Sequence, residues 1–368
     1  MANQEIKPRK PDFILLFSAV IILAVGLIMV LSSSSSFSLR EFGDPYYLFL
    51  RQLKWIGLGI VVTAAAVFFP YKYWRKLSGI SMIVSVILLL LVEFSTMSIT
   101  TKGSARWIEL FGISVQPSEI AKLAIVLFFA YTLSRRSHKK ITDMGVALFA
   151  LAVIFLLVYK QPDLGTAIVI LAAGGAMLLM TELHSAYFMV GVPIMGIVGF
   201  FLIKGEEYQW KRILGWLHPW EYATSHGWQL VNAQIAFATG GLLGIGIGRS
   251  SEGLSYLPES YTDTIYAVIG QEFGFFGTAF MLFCYAVLFV RGYMVSKQCP
   301  DNFGRLLGFG ITTILAIQTA INLCVVTGLF PVTGITLPLI SYGGSSLLVT
   351  MFEIGILLNI SRYREQSA

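Results

Sequence analysis

Apolar runs separated by short polar segments recur along the chain and predict membrane-spanning helices. The first run covers about 12 to 33, is too long for the apolar core of a signal peptide and has no convincing cleavage site after it. Ser32 to Ser36 and the residues to Tyr47 read as a loop, and Trp55 to Phe69 as a second span. Further spans are predicted at about 77–94, 118–133, 143–159, 163–180 and from His184 to about 203. About sixty residues without an apolar window follow. The last three spans begin near Asp263, 306 and 346 and end near Val290, 327 and 360. The expected fold is all-α and polytopic, a single domain over residues 1–368 with about ten transmembrane helices. One large extracellular loop, about 204–263, precedes the eighth helix.

Composition agrees with this pattern. Of 368 residues, 56% are hydrophobic and 12% charged, and the mean hydropathy is +0.75, far from a soluble domain. The net charge of +6 therefore reflects membrane topology rather than nucleic-acid binding. Lys7, Arg9, Lys10, Lys72, Arg75, Lys76, Arg135, Arg136, Lys139, Lys140, Arg291, Lys297, Arg305, Arg362 and Arg364 fall on one side. The short loops on the other hold only Arg40, Arg51, Lys102, Arg106 and Lys160. By the positive-inside bias both termini are expected in the cytoplasm of a bacterial inner-membrane protein, with Asp263 on the outer face. Cys284, Cys299 and Cys324 show no pairing pattern and are expected as free thiols.

The outer segments gather the polar residues that are expensive at a membrane. Asp263 sits where the long loop meets an apolar helix, and its position leaves a helix cap with Thr262 and a functional acid both open. Gly270, Gly274 and Gly277 follow at helical spacing and predict a smooth face for a close neighbour. In RWIELFGISVQPSEIAKL, Glu119 and Lys122 are three apart on a helix start, where they form a self-neutralising pair or a functional one. Arg106 beside Trp107 suits an interfacial anchor; Arg106 and Lys122 also have the chemistry of a pyrophosphate clamp. Asp163 in QPDLGT reads as a helix cap. GGLLGIGIGRS lacks both the Walker lysine and the dinucleotide spacing, and its glycines read as packing for a re-entrant segment. WKRILGWLHPWEY reads as an amphipathic segment in the headgroup layer. His218 and His226 lack metal-ligand spacing. FPVTGITLPLISYGGSS is broken backbone at membrane depth, tolerated where it lines a cavity or is buried in protein.

YLPESYTDTIYAVIGQEFG, RWIELFGISVQPSEIAKL, QPDLGTA, HPWEYATSHGWQLVNAQIAFATGGLLGIGIGRS and PVTGITLPLISYGGSSL, in this order, resemble the SEDS family of FtsW, RodA and SpoVE, closest to the FtsW and SpoVE branch. The resemblance covers nearly the whole chain. It implies a peptidoglycan glycosyltransferase that polymerises lipid II and works with a class B penicillin-binding transpeptidase. It further implies Asp263 as the catalytic carboxylate, a general base, and Arg106, Trp107, Glu119, Lys122, Gln229, Ser341 and Tyr342 as substrate-binding residues. A divalent cation, Mg²⁺ or Mn²⁺, bridging the pyrophosphate is an expectation with no ligand set assigned. Tyr261 stands where the family usually has His, Thr264 where it has Phe, and Gly270, Gln271 and Glu272 where it has GEE. Any role of that His does not transfer. A lipid II flippase and a noncatalytic scaffold are the rival functions. A flippase needs charged groups through the bundle, whereas these cluster on the outer side.

Overall fold

The structure, a computed structural model, describes residues 8–94, 98–101, 104–110, 113–135, 141–249 and 260–364. Lys7, Lys102, Arg136, Lys139, Lys140, the Tyr256 to Glu259 part of the YLPES motif and the tail from Glu365 lie outside the described residues. Among the described residues twelve α-helices run in chain order: α1 Phe13–Phe42, α2 Tyr47–Phe68, α3 Trp74–Phe94, α4 Pro117–Leu133, α5 Gly145–Lys160, α6 Leu164–Leu179, α7 Ala186–Gly205, α8 Glu207–Leu217, α9 Trp228–Gly240, α10 Ile265–Lys297, α11 Asn302–Val326 and α12 Gly344–Ser361. Among these, α1, α2, α3, α7, α10, α11 and α12 are long and apolar enough to cross a membrane. The shorter helices α4, α5 and α6 lie where the other three crossings are expected.

Three expectations change. The serine run is helical, because α1 continues to Phe42 and ends on Gly43. Three of its hydroxyls find protein partners: Ser33 and Ser35 donate to carbonyls of their own helix, Met29 and Ser32, and Ser32 donates to the Glu272 carboxylate. The segment between α3 and α4 is a small antiparallel sheet, β1 Ser98–Thr101, β2 Ser104–Leu110 and β3 Ile113–Val115, in the order β1-β2-β3. Within β2, Ile108 is buried and Glu109 exposed, on opposite faces of the strand. Among its described residues the large loop holds two helices. α8 is the amphipathic segment; α9, at 13 residues too short to span, buries Leu230, Val231, Ala233 and Ala236 and packs on α10.

α4 lies at the centre of the bundle. It is apolar nearly all round, as an interior helix must be, and packs on α3, α5, α6, α11 and α12. α7, by contrast, has no buried residue. At one end of the bundle the Arg9 amide donates to the Arg362 carbonyl, and Asp12 accepts from Arg291 and Arg364. Burial raises the Asp12 carboxyl, but the Arg291 hydrogen bond and the paired charges bring it below the ordinary carboxylate range. Residues near both ends of the chain therefore meet at one end of the molecule. Cys284, Cys299 and Cys324 are free.

α10 breaks at Gly274, whose φ of 67° and ψ of −161° leave the helical region. The glycine-rich segment after α9 fills the break. Amides of Ile245 and Gly246 donate to the carbonyls of Gln271 and Glu272, at 3.0 and 3.1 Å, while amides of Phe275 and Phe276 donate to Gly241 and Leu242, at 2.9 and 3.3 Å. Every backbone group in this set is satisfied by protein, as membrane depth requires. The Gly248 amide also donates to Glu272 Oε1 at 3.2 Å. Amides committed in this way do not cradle phosphate. The expected smooth glycine face takes a particular form: at Gly240 an added Cβ would lie 2.0 Å from the Gly270 carbonyl oxygen, so α9 and α10 touch backbone to backbone. Gly274 meets the backbone of Leu242 and Gly244, and Gly277 faces the side chain of Phe273 on its own helix.

Candidate active site

Asp263 is half-buried just before α10. The N-cap is Thr264, whose side chain makes no capping bond, so the helix start does not depend on the Asp263 carboxylate. Gln229, on the first turn of α9, donates through Nε2 to Asp263 Oδ2 at 2.9 Å, and Thr262 Oγ1 donates to Oδ1 at 3.1 Å. Donors on both oxygens orient the carboxylate.

A strap between α11 and α12, residues 327–343, runs beside this acid and is pinned from four sides. From α11, Asn322 Nδ2 donates to the carbonyls of both Asp263 and Ile335, each at 2.8 Å, and Gln318 Nε2 donates to Thr336 O at 3.0 Å. From α8, Trp216 Nε1 donates to Gly328 O at 2.8 Å and Arg212 to Val332 O at 3.1 Å. From α2, the Gln52 side chain bonds Ser341 O and the Gly343 amide. From the approach to α10, the Thr262 carbonyl accepts from Ser341 Oγ, which also accepts from the Leu337 amide at 2.7 Å. Both roles of the Ser341 hydroxyl are thus taken by backbone, and Ser341 positions the residue before Asp263. Leu339 adopts φ 65°, a strained value for a side-chain-bearing residue that this pinning maintains. Tyr342 donates its amide to Tyr261 O at 2.8 Å and sets its ring against that of Tyr261, centroids 5.7 Å apart, with Phe37 on the far side. Burial pushes the Tyr342 phenol up, and the Arg51 charge only partly offsets this.

The basic pair divides. Lys122 is buried, 2.9 Å from Glu119, and donates to Gln318 Oε1. Since Gln318 holds Thr336, and Asn322 one turn later holds Ile335 and Asp263, the Glu119–Lys122 pair supports the strap from below. Arg106 projects from β2 to the tip between α5 and α6, where Nε donates to Gln161 O at 3.1 Å and Nη2 to Pro162 O. A guanidinium has five donor hydrogens, so two carbonyls do not exhaust it. Trp107 is half-buried beside it, in register with Ile99. Asp163 caps α6 through the Thr166 amide at 3.3 Å and accepts from Gln116 and Ser118, which agrees with its reading as a cap.

Gln52, Gln318 and Asn322 were not singled out by sequence reasoning. The last two are four apart inside an apolar span, each 1% exposed, and polar residues on one stripe of a spanning helix are the signal that finds them. Gln229, Asp263, Ser341 and Tyr342 come together around the strap, with Glu119 and Lys122 beneath it and Arg106 and Trp107 at the neighbouring hairpin tip. Chemically the set offers an oriented carboxylate, an aromatic wall and an anchored cation at one end of a membrane bundle.

The sequence model of the FtsW, RodA and SpoVE family, described as cell cycle protein, matches residues 13–366. A protein of Geobacter metallireducens called "Probable peptidoglycan glycosyltransferase FtsW" is 37% identical over 353 residues, 95% of this chain and 94% of that one. Stage V sporulation protein E of Bacillus subtilis is 38% identical over 362 residues, 97% and 98% of the two chains. Among solved structures, a chain from work on how a peptidoglycan synthase complex coordinates polymerization and crosslinking superposes with a TM-score of 0.82 at 28% identity, covering 97% of this chain and 99% of that one. The rod shape determining protein RodA of Thermus thermophilus gives 0.72 at 27% identity, covering 97% and 98%.

Proposed function

This chain belongs to the FtsW, RodA and SpoVE family and is a membrane peptidoglycan glycosyltransferase, and we propose that Asp263 is the general base with which it polymerises lipid II. The observation that carries this reading is the carboxylate itself, oriented by Gln229 and Thr262, unneeded as a cap, and backed by a strap pinned from four sides. The acceptor sugar hydroxyl gives its proton to Asp263 as its oxygen attacks the anomeric carbon of the donor. The bond to the lipid pyrophosphate breaks, the leaving group keeps the electron pair, and an α-linked donor becomes a β1,4 product by inversion. One base suffices for such a displacement. Arg106 is the group we assign to the pyrophosphate, as a planar fork for phosphate oxygens. Lys122 acts through Gln318 and Thr336, positioning the strap rather than touching sugar.

Among the described residues no three His, Cys, Asp or Glu side chains group as a metal cage. A divalent cation, Mg²⁺ or Mn²⁺, would neutralise leaving-group charge on the pyrophosphate, and no side chain of this chain is assigned to hold it.

The partner we propose is a class B penicillin-binding transpeptidase, in keeping with the synthase complex in which a structural neighbour was solved. Full-length protein with such a partner and lipid II is expected to yield glycan polymer on gels, and transfer of lipid II from one face to the other of reconstituted vesicles is expected not to depend on it. Robust transfer without polymer would install the flippase reading instead.

We also propose that the end bearing Arg9, Asp12 and Arg362 is cytoplasmic, from the distribution of Lys and Arg. Single cysteines at exposed Ser225 and Asn302, in a background lacking the native thiols, should label from opposite faces of sealed vesicles. Labelling of both from one face refutes the topology.

A further inference from the structure

The end of the bundle opposite Asp263 carries a recess of about 1020 Å³ that the chemistry above does not use. It lies between the C-terminal ends of α4, α6 and α10 and the first turns of α11. Its charged lining groups are Arg135, Lys297 and Arg305 against Glu182, three cations to one acid. Each cation comes from a different helix end. Arg135 lies just beyond α4 with its guanidinium 4.7 Å from the Tyr131 ring centroid, Lys297 closes α10, and Arg305 opens α11 with Nη2 bonded to Asn302 Oδ1 at 2.8 Å. The walls continue inward along apolar side chains, Leu306 and then Phe309.

We propose that this recess binds an anionic phospholipid from the leaflet at that end, phosphate among the three bases and acyl chains along the apolar wall. Charge complementarity selects the headgroup: two guanidinium groups and one ammonium group line the one recess, and among the described residues a single carboxylate leaves the lining net positive. Depth selects a lipid over a free phosphate. Asn302 and Phe309 both line the recess and are seven residues apart on one helix, so it runs about 10 Å from the charged rim into the apolar layer. An inorganic ion needs none of that length. The helices that frame it, α4 and α11, carry Glu119, Lys122, Gln318 and Asn322 towards their other ends, so an occupant here braces the same pair of helices that supports the strap.

The test is lipid retention by the full-length protein. Detergent-solubilised protein is titrated with phosphatidylglycerol, with phosphatidylcholine and with inorganic phosphate, and bound lipid is counted by native mass spectrometry. One phosphatidylglycerol is expected to bind in preference to phosphatidylcholine. The double variant Lys297→Gln, Arg305→Gln should weaken its binding by about thirtyfold, from two surface charges at ordinary strength. Both side chains are exposed, so folding is not at stake. A second variant, Thr181→Trp, leaves the charge unchanged and narrows the recess, and it should lower occupancy as well. Undiminished phosphatidylglycerol binding by either variant overturns the site. Displacement of the lipid by millimolar inorganic phosphate overturns the lipid assignment, because the tails then contribute nothing.

Discussion

Asp263→Asn is expected to abolish glycan synthesis, a loss of about a thousandfold or more, which is what removal of a general base costs. The substitution suits the site sterically. Asn can turn its carbonyl oxygen to Gln229 Nε2 and its amide to Thr262 Oγ1, so both existing contacts have a counterpart. Nor is the helix start disturbed, since Thr264 is the N-cap and the Asp263 main-chain carbonyl still accepts from Asn322. What Asn lacks is a basic oxygen to take the sugar proton. The variant should therefore remain monodisperse in detergent, should still associate with its transpeptidase, and should make no polymer from lipid II. Polymerisation at the wild-type rate removes Asp263 from the role of base. An aggregated variant would point instead to a structural role for the charge.

Gly240→Val should be the most damaging change away from the acid. The added Cβ falls 2.0 Å from Gly270 O and 2.8 Å from Gln271 Cα, which are main-chain atoms. They have nowhere to go, because the carbonyls of Gln271 and Glu272 are held by the amides of Ile245 and Gly246. Overpacking against movable side chains costs about 1–3 kcal/mol, and against fixed backbone the expected loss is about 3 kcal/mol or more. The damage reaches the site as well, since α9 carries Gln229 at one end and Gly240 at the other. Gly191→Val on α7, where an added Cβ meets nothing within 4 Å, is the matched control. Thermal aggregation in detergent should separate the two variants clearly. Equal midpoints would mean that α9 and α10 do not need this contact.

Much of this protein is legible without coordinates. Runs of apolar residues long enough to cross a bilayer, with Lys and Arg concentrated in alternate loops, determine a polytopic helical bundle, because the bilayer imposes the same length and hydrogen-bonding demand on every crossing. The order of the motifs identifies the family, and Asp163 reads correctly as a cap from Pro162 and the following apolar run alone. Errors arose where polarity was handled by neighbours rather than by water. The serines of α1 look like a loop until their hydroxyls are seen bonded to Met29, Ser32 and Glu272. α9 looks like loop because it is too short to span, and only its burial on α10 makes it part of the core.

The site divides along the same line. Residue type alone makes Asp263 a candidate acid and Arg106 a candidate phosphate fork, since those chemistries belong to the side chains themselves. Whether Asp263 caps a helix, whether Lys122 faces outward, and whether the glycines after α9 cradle a ligand or mend a broken helix are questions about partners far apart in the chain. Asp263 meets Gln229 and Asn322, Lys122 meets Gln318, and Gly241 to Gly246 meet Gln271 to Phe276 only after the chain has folded back on itself. A hydrogen bond has short range, and the sequence does not record which distant residue closes to within 3 Å. Packing of the helices decided that.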